Sequence, residues 1–318
     1  SMVFGIGSNT KTLTALVLLR LQEEGRIDLD DAIGQYIEPH PYIDPSITVR
    51  QLLNHTSGLG EYAGGVVYRD SILTDPQRVW TAGELLPMIP SPAFAPGTSA
   101  EYCNTNYLVA GIIAERVGAS PLQDLYRRLL TEPLDLDTLV LFPQDSCVGE
   151  LAHRWMGGRD ASNRPMQAEW SGAWAAGAAL STAYTYARLY ERLFSGNVLT
   201  DVSMGEFTDV RGPARYGLGI DEDQLGGQTA YGHGGNIRGY TSSAYWIPAL
   251  GAAVVVLTND AEGRPRMVVD SIVRVLSDHV TSVDDEDPLE SYDLFPGTVY
   301  DLNGTVVGTV RDHHALRS

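Results

Sequence analysis

Lysine is nearly missing from this chain of 318 residues. Lys11 stands alone, and the other 21 basic residues, from a Lys+Arg total of 22, are arginines. Positive charge is scarce as a whole: 40 Asp and Glu leave a formal net charge of −18. Such a chain repels phosphate backbones and anionic bilayers, which argues against nucleic acid and membrane surfaces as partners. Cysteine is equally scarce. Cys103 and Cys147 are too few for a disulfide framework or a thiolate zinc site, and Cys103 reads as a small buried residue. No metal and no cofactor is expected. Long apolar runs are missing too: the longest, Ala252 to Leu257, reads as a buried strand, far short of a membrane span. Ser1–Gly7 is too short and uncharged for a signal peptide. These absences leave a soluble protein with a small-molecule or peptide partner, its compartment and oligomeric state unassigned.

What is present gains meaning from the lone lysine. Arginine stays charged at any ordinary pH, whereas a buried lysine can lose its proton and serve as a base. Lys11 lies three positions after Ser8 in Gly7-Ser8-Asn9-Thr10-Lys11, close to one helical turn, so the two share a face. A serine beside a neutralisable amine is an activated nucleophile. Chance alone places a serine at that spacing often enough that the pair needs company downstream.

Apolar residues surround Thr10–Glu24 on nearly every side, which predicts a central buried helix stopped by Gly25. Ser8 then sits at its positive N-terminal end. Further helices are predicted at Val49–Leu53, Ala82–Ile89, Asn104–Val117 and Pro121–Leu130, and at Thr182–Phe194 with Ser181 as its cap. After about residue 210 the character changes. Thr241–Trp246 and Ala252–Leu257 are β-branched or aromatic, and Pro248–Gly251 joins them as a hairpin; Arg266–Asp278 reads as a helix. A mostly helical part, 49–204, is thus expected inside a sheet-containing part made of 1–48 and 205–318. Thr298–Val307, with its Asn303-Gly304 turn, is the clearest hairpin signal in the chain.

Two further segments supply the company. Tyr102-Cys103-Asn104 follows Pro96-Gly97 and opens a helix; a phenol can shuttle a proton, and an amide two residues on can hold a substrate carbonyl and a lysine. Taken alone it is equally a packed helix start. His233-Gly234-Gly235 follows a glycine and lets a substrate backbone approach a strand edge, or is a glycine-rich turn with an incidental histidine. His55-Thr56-Ser57-Gly58-Leu59 is most simply a turn after a helix.

In this order and spacing, Ser8-x-x-Lys11, Tyr102-x-Asn104 and His233-x-Gly235 resemble the motifs of the serine β-lactamase and penicillin-binding-protein superfamily. The resemblance is to its class C-like branch, with D-alanyl-D-alanine carboxypeptidase, D-aminopeptidase and esterase relatives. It extends over roughly residues 3 to 280, through Phe4–Ser8, Leu52–Leu59, Tyr102–Tyr107 and Val254–Asn259. It implies an α/β (α+β), β-lactamase/transpeptidase-like fold, a central antiparallel sheet flanked by helices with a mostly helical second domain inserted. It also implies roles: Ser8 as acylated nucleophile, Lys11 as its activator, Tyr102 as proton shuttle and Asn104 as holder of the substrate amide. His233 takes the place of the third-motif cation. The backbone N–H groups of Ser8 and Asn236 would form the oxyanion hole, with Gly234 and Gly235 along the substrate. Whether Lys11 or Tyr102 is the principal base stays open.

One departure stands out. Relatives carry a helix and two sheet strands before the Ser-x-x-Lys helix, whereas Ser8 lies almost at the start here. The hairpin at 298–310 is expected to replace those strands, as in a circular permutation. The implied function is acyl transfer or hydrolysis through a Ser8 acyl-enzyme on a D-amino-acid peptide, a β-lactam-like amide or a small ester. Histidine in the third motif favours peptidase, amidase or esterase over β-lactamase. The alternative is a penicillin-binding-like ligand-binding or sensor protein without turnover.

Overall fold

The computed structural model describes residues 2–212, 214–281, 298–300 and 306–309. The chain opens with strand β1 (Met2–Gly5), a 3-10 turn at Gly7–Asn9 and helix α1 (Thr10–Glu23). Next come α2 (Val49–Leu53), short helices between residues 66 and 88, and α3 (Asn104–Gly118). Strands β2 (Val140–Leu141) and β3 (Glu150–Leu151) precede α4 (Gln167–Gly177), β4 (Ala179–Ser181) and α5 (Ala183–Phe194). The last part contains β5 (Asp221–Leu225), β6 (Gln228–Ile237), β7 (Tyr240–Ile247), β8 (Ala252–Thr258) and α6 (Pro265–Thr281), then β9 (Thr298–Tyr300) and β10 (Val306–Thr309).

The β-lactamase-like α/β fold is as expected. Strands β5 to β8 form an antiparallel sheet in the order β8-β7-β6-β5. On one side α5 packs along β7 and β8, its Phe194 stacked on Trp246 with centroids 5.3 Å apart. Helix α6 buries Val269 and Val273 against Leu225, Ala230, Tyr245 and Ile247. The all-round apolar reading of α1 is also met: it is buried from Thr10 to Leu19 and packs against α3 and α4. Each buried leucine there contributes about 1.5–3 kcal/mol. Its buried hydroxyls have carbonyl partners, Thr10 with Gly7, Thr12 with Gly219 and Thr14 with Ala175, so no polar cost offsets the burial.

Several expectations change. β1 joins a second small sheet, order β2-β4-β1-β3, instead of the main one, so the start of the chain belongs with strands from residues 140–181. Thr182, not Ser181, caps α5 through the Thr185 N–H, because Ser181 is the last residue of β4. The hairpin at 298–310 does form a ladder between β9 and β10, but that ladder is a separate two-stranded sheet. No described pairing joins it to either edge of the main sheet, β8 or β5. Its turn, and the residues after 309, lie outside the described residues. Cys103 and Cys147 are both free. Among the described residues no helix is long and apolar enough to cross a membrane.

Candidate active site

The site begins with a turn that only glycine permits. Gly7 has φ +53, and a Cβ there would lie 2.5 Å from the Asn236 backbone nitrogen. Its absence lets the Ser8 turn press against β6. The turn is pinned from below: Asn9 Nδ2 donates to Ser242 Oγ at 2.9 Å, and Ser242 donates to the Ile6 carbonyl at 2.7 Å. Ser8 is thereby held at the foot of α1 and at the edge of the sheet.

One turn on, Lys11 is fully buried. Its Nζ lies 3.0 Å from Ser8 Oγ, 2.8 Å from Asn104 Oδ1 and 2.8 Å from the Ala176 carbonyl. Burial lowers its pKa from the ordinary 10.5 to about 7, with the Glu61 carboxylate opposing. A neutral amine has two N–H donors and one lone pair. The two carbonyl oxygens can only accept, so the lone pair is left for the Ser8 hydroxyl.

Tyr102 comes to Ser8 from the other side. The residue is 45 % exposed and borders the cleft, and desolvation drives its pKa up against a weaker opposing hydrogen bond with Ser8. The phenol is therefore protonated at rest. Asn104, the first residue of α3, has both ends of its amide engaged: Oδ1 with Lys11, and Nδ2 with Glu61 at 3.0 Å. Glu61 also accepts the Asn104 backbone N–H at 2.6 Å. Asn104 Oδ1 is thus turned to the lysine.

Strand parity places Asn236. The Arg238-Gly239 turn closes the β6–β7 hairpin at the Ile237–Tyr240 pair. Alternate pairs of an antiparallel ladder exchange hydrogen bonds, so Gly235 and His233 bond to β7. Gly234 and Asn236 present their backbone groups to the opposite edge, which β5 covers only as far as Gly232. Asn236 N–H thus faces the side where the Ser8 turn sits. The two glycines differ. A Cβ on Gly235 would meet the chain's own Ile6 carbonyl at 2.0 Å, so that glycine serves internal packing; a Cβ on Gly234 would meet nothing nearer than the Ser242 carbonyl at 3.9 Å.

The surroundings of His233 disfavour the cationic form expected of it. Burial and the nearby Lys11 push its pKa down to about 3. Nδ1 donates to the Gly234 carbonyl, and Nε2 accepts from the Tyr216 hydroxyl at 2.8 Å. The neutral ring satisfies both contacts, and it is burial, then the nearby Lys11, that disfavours the charged form.

The five motif residues therefore converge, and Ser8, Tyr102, His233 and Asn236 line an open cleft of about 740 Å³. Sequence reasoning missed Glu61, Tyr216 and the working part of His55. None carries a motif signal of its own, since each acts through a contact distant in sequence. Trp170 and Trp174 are core and Trp155 is exposed; none of the three borders the cleft. No group of His, Cys, Asp and Glu among the described residues could hold a metal.

The chain matches the Beta-lactamase family over residues 1–278 and belongs to it. It is 31% identical over 246 residues to a D-aminopeptidase of Brucella anthropi, covering 74% of this chain and 45% of that protein. The chain spans about half the length of the curated relatives it matches. In three dimensions it is similar to a D-stereospecific amidohydrolase from Streptomyces sp., with TM-score 0.75 and 29% identity over 86% of this chain and 85% of that one. It is likewise similar to the D-amino acid amidase from Ochrobactrum anthropi SV3 complexed with D-phenylalanine, with TM-score 0.75 and 26% identity over 88% and 85% of the two chains.

Proposed function

We propose that this chain is a serine hydrolase that cleaves amides of D-amino acids, or short peptides beginning with one, through an acyl-enzyme on Ser8. The observation that carries the reading is Lys11: a buried amine whose pKa falls to about 7, two of whose contacts are carbonyls, with its third at the Ser8 hydroxyl. The D-amino-acid part rests on the names of the relatives, D-aminopeptidase and D-amino acid amidase.

The steps follow from the contacts. Lys11 takes the Ser8 proton as Oγ attacks the amide carbon. The oxyanion forms between the N–H groups of Ser8 and Asn236, each such donor supplying roughly 3–4 kcal/mol of transition-state stabilisation. Tyr102, a neutral phenol beside Ser8, gives its proton to the departing amine and regains one from the Lys11 ammonium. Water then attacks the ester along the reverse proton path, releasing the acid and restoring Ser8. Principal base work thus falls to Lys11 and acid work to Tyr102. Neutral His233 orients the strand edge instead of attracting a carboxylate, which favours amides over carboxylate-bearing β-lactams.

The test is ammonia release from D- and L-phenylalanine amide. Release that is faster for the D form and abolished by Ser8→Ala supports the reading. Absence of release from both, with the amide still bound, supports the sensor alternative.

A further inference from the structure

One carboxylate in the cleft is unused by this chemistry. Asp221 opens β5, pairs in register with Gly232 beside His233, and bridges to Tyr216. It borders the same cleft as Ser8 and Tyr102. Burial, and then the neighbouring Asp223, push its pKa up to about 7.

No cation of the protein is available to it. Lys11 is committed to Ser8, Asn104 and Ala176. His233 is neutral, with both nitrogens engaged. Arg266 gives two N–H groups to Asp223, at 2.7 Å each. Arg264, exposed just before α6, lines the cleft but forms no ion pair with Asp221 among the described residues. No described donor hydrogen-bonds to the Asp221 carboxylate. A carboxylate drawn partly out of water without a counter-charge is unfavourable, and in an open cleft a ligand can supply the missing charge.

We infer that Asp221 selects substrates by charge: it takes an ammonium group of the substrate and repels a carboxylate placed there. This rests on the amide-hydrolase reading above and specifies its substrate class as cationic amides. The ammonium has two sources, the free α-amine of an amino-acid amide or a basic side chain. Both are compatible with a residue on the cleft wall close to the scissile position.

The experiment compares kcat/KM of the wild type, Asp221→Asn and Asp221→Glu on three D-amides. Phenylalanine amide carries only an α-ammonium, Nα-acetyl-lysine amide only a side-chain ammonium, and Nα-acetyl-phenylalanine amide neither. The quantity read is the preference for an ammonium-bearing amide over the neutral one. Asp221→Asn is expected to lower that preference about tenfold or more, mainly through KM, and Asp221→Glu to keep most of it. The amide whose preference falls identifies the source. An unchanged preference overturns the inference, and so does an equal loss on all three amides. Binding of phenylalanine amide and acetyl-lysine amide to Ser8→Ala protein, measured by calorimetry, separates this from failure of the hydrolase reading. Weaker binding of either on adding Asp221→Asn supports charge selection even without turnover, and unchanged affinity for both contradicts it.

Discussion

His55 brackets Tyr102 along the chain. Its carbonyl accepts the Glu101 N–H at 3.1 Å, its Nδ1 accepts the Cys103 N–H at 3.2 Å, and its ring centroid lies 4.4 Å from that of Tyr102. Asn106 Nδ2 meets the same Nδ1 at 3.0 Å. Burial holds the His55 pKa well below the usual histidine value, so the ring accepts these bonds as a neutral imidazole. His55 also has φ +62, a conformation that asparagine tolerates better than most residues. His55→Asn is expected to loosen Tyr102 while keeping the turn. The prediction is a fall in kcat of roughly 10- to 100-fold with KM little changed, smaller than the roughly 10²- to 10⁴-fold expected for Tyr102→Phe. Steady-state kinetics of the two variants on one amide check it.

Lys11 fixes the acid side of the pH profile. Below about 7 it is protonated and has no lone pair for Ser8, so acylation rises with pH through that range. Asp221 titrates nearby, so the limb is best read in Asp221→Asn, where it should persist. The Glu61 carboxylate raises the Lys11 pKa, so Glu61→Gln is expected to move the limb to lower pH. Acylation rates from pH 5 to 9 measure both.

The same shift has a stability consequence. The folded pKa of Lys11, about 7, lies below its ordinary 10.5, so between these values the unfolded chain binds more protons. Stability from this residue therefore rises as pH goes from about 7 toward 10. Lys11→Met should remove that rise. Urea midpoints of both proteins at pH 7 and 9 show whether it does.

Gly7 carries the approach of Ser8 to β6. In Gly7→Ala a methyl would sit 2.5 Å from the Asn236 nitrogen, at φ +53. The expected cost is roughly 2–4 kcal/mol of stability, together with loss of acylation because the two oxyanion donors separate. Thermal unfolding and acylation of this variant test both parts.

Much of this site was legible because its residues lie in short local motifs. Ser8 and Lys11 share a helical turn, and Tyr102 and Asn104 flank one helix start. The apolar surround of α1 likewise announced a buried helix. Legibility failed where contacts between distant segments decide. His233 looks like a cation until Tyr216 and its burial are seen. Nothing local announces that Glu61 holds the Asn104 amide. Helix α4 has no polar face to give a period, and Trp174 interrupts it with φ 34. Strand β6 reads equally as a turn because Gly232, Gly234 and Gly235 lower its strand propensity; Gly232 and Gly235 are needed to pass the Ala244 and Ile6 carbonyls. The pairing of β1 with β4 joins Phe4 to Ser181 across the whole helical part, beyond any local pattern.

The most direct measurement is intact-protein mass after brief exposure to an activated ester, followed by peptide mapping, with Ser8→Ala alongside. The account predicts a single acyl adduct on the peptide containing Ser8, absent in Ser8→Ala. An adduct elsewhere, or one that survives the substitution, would contradict it.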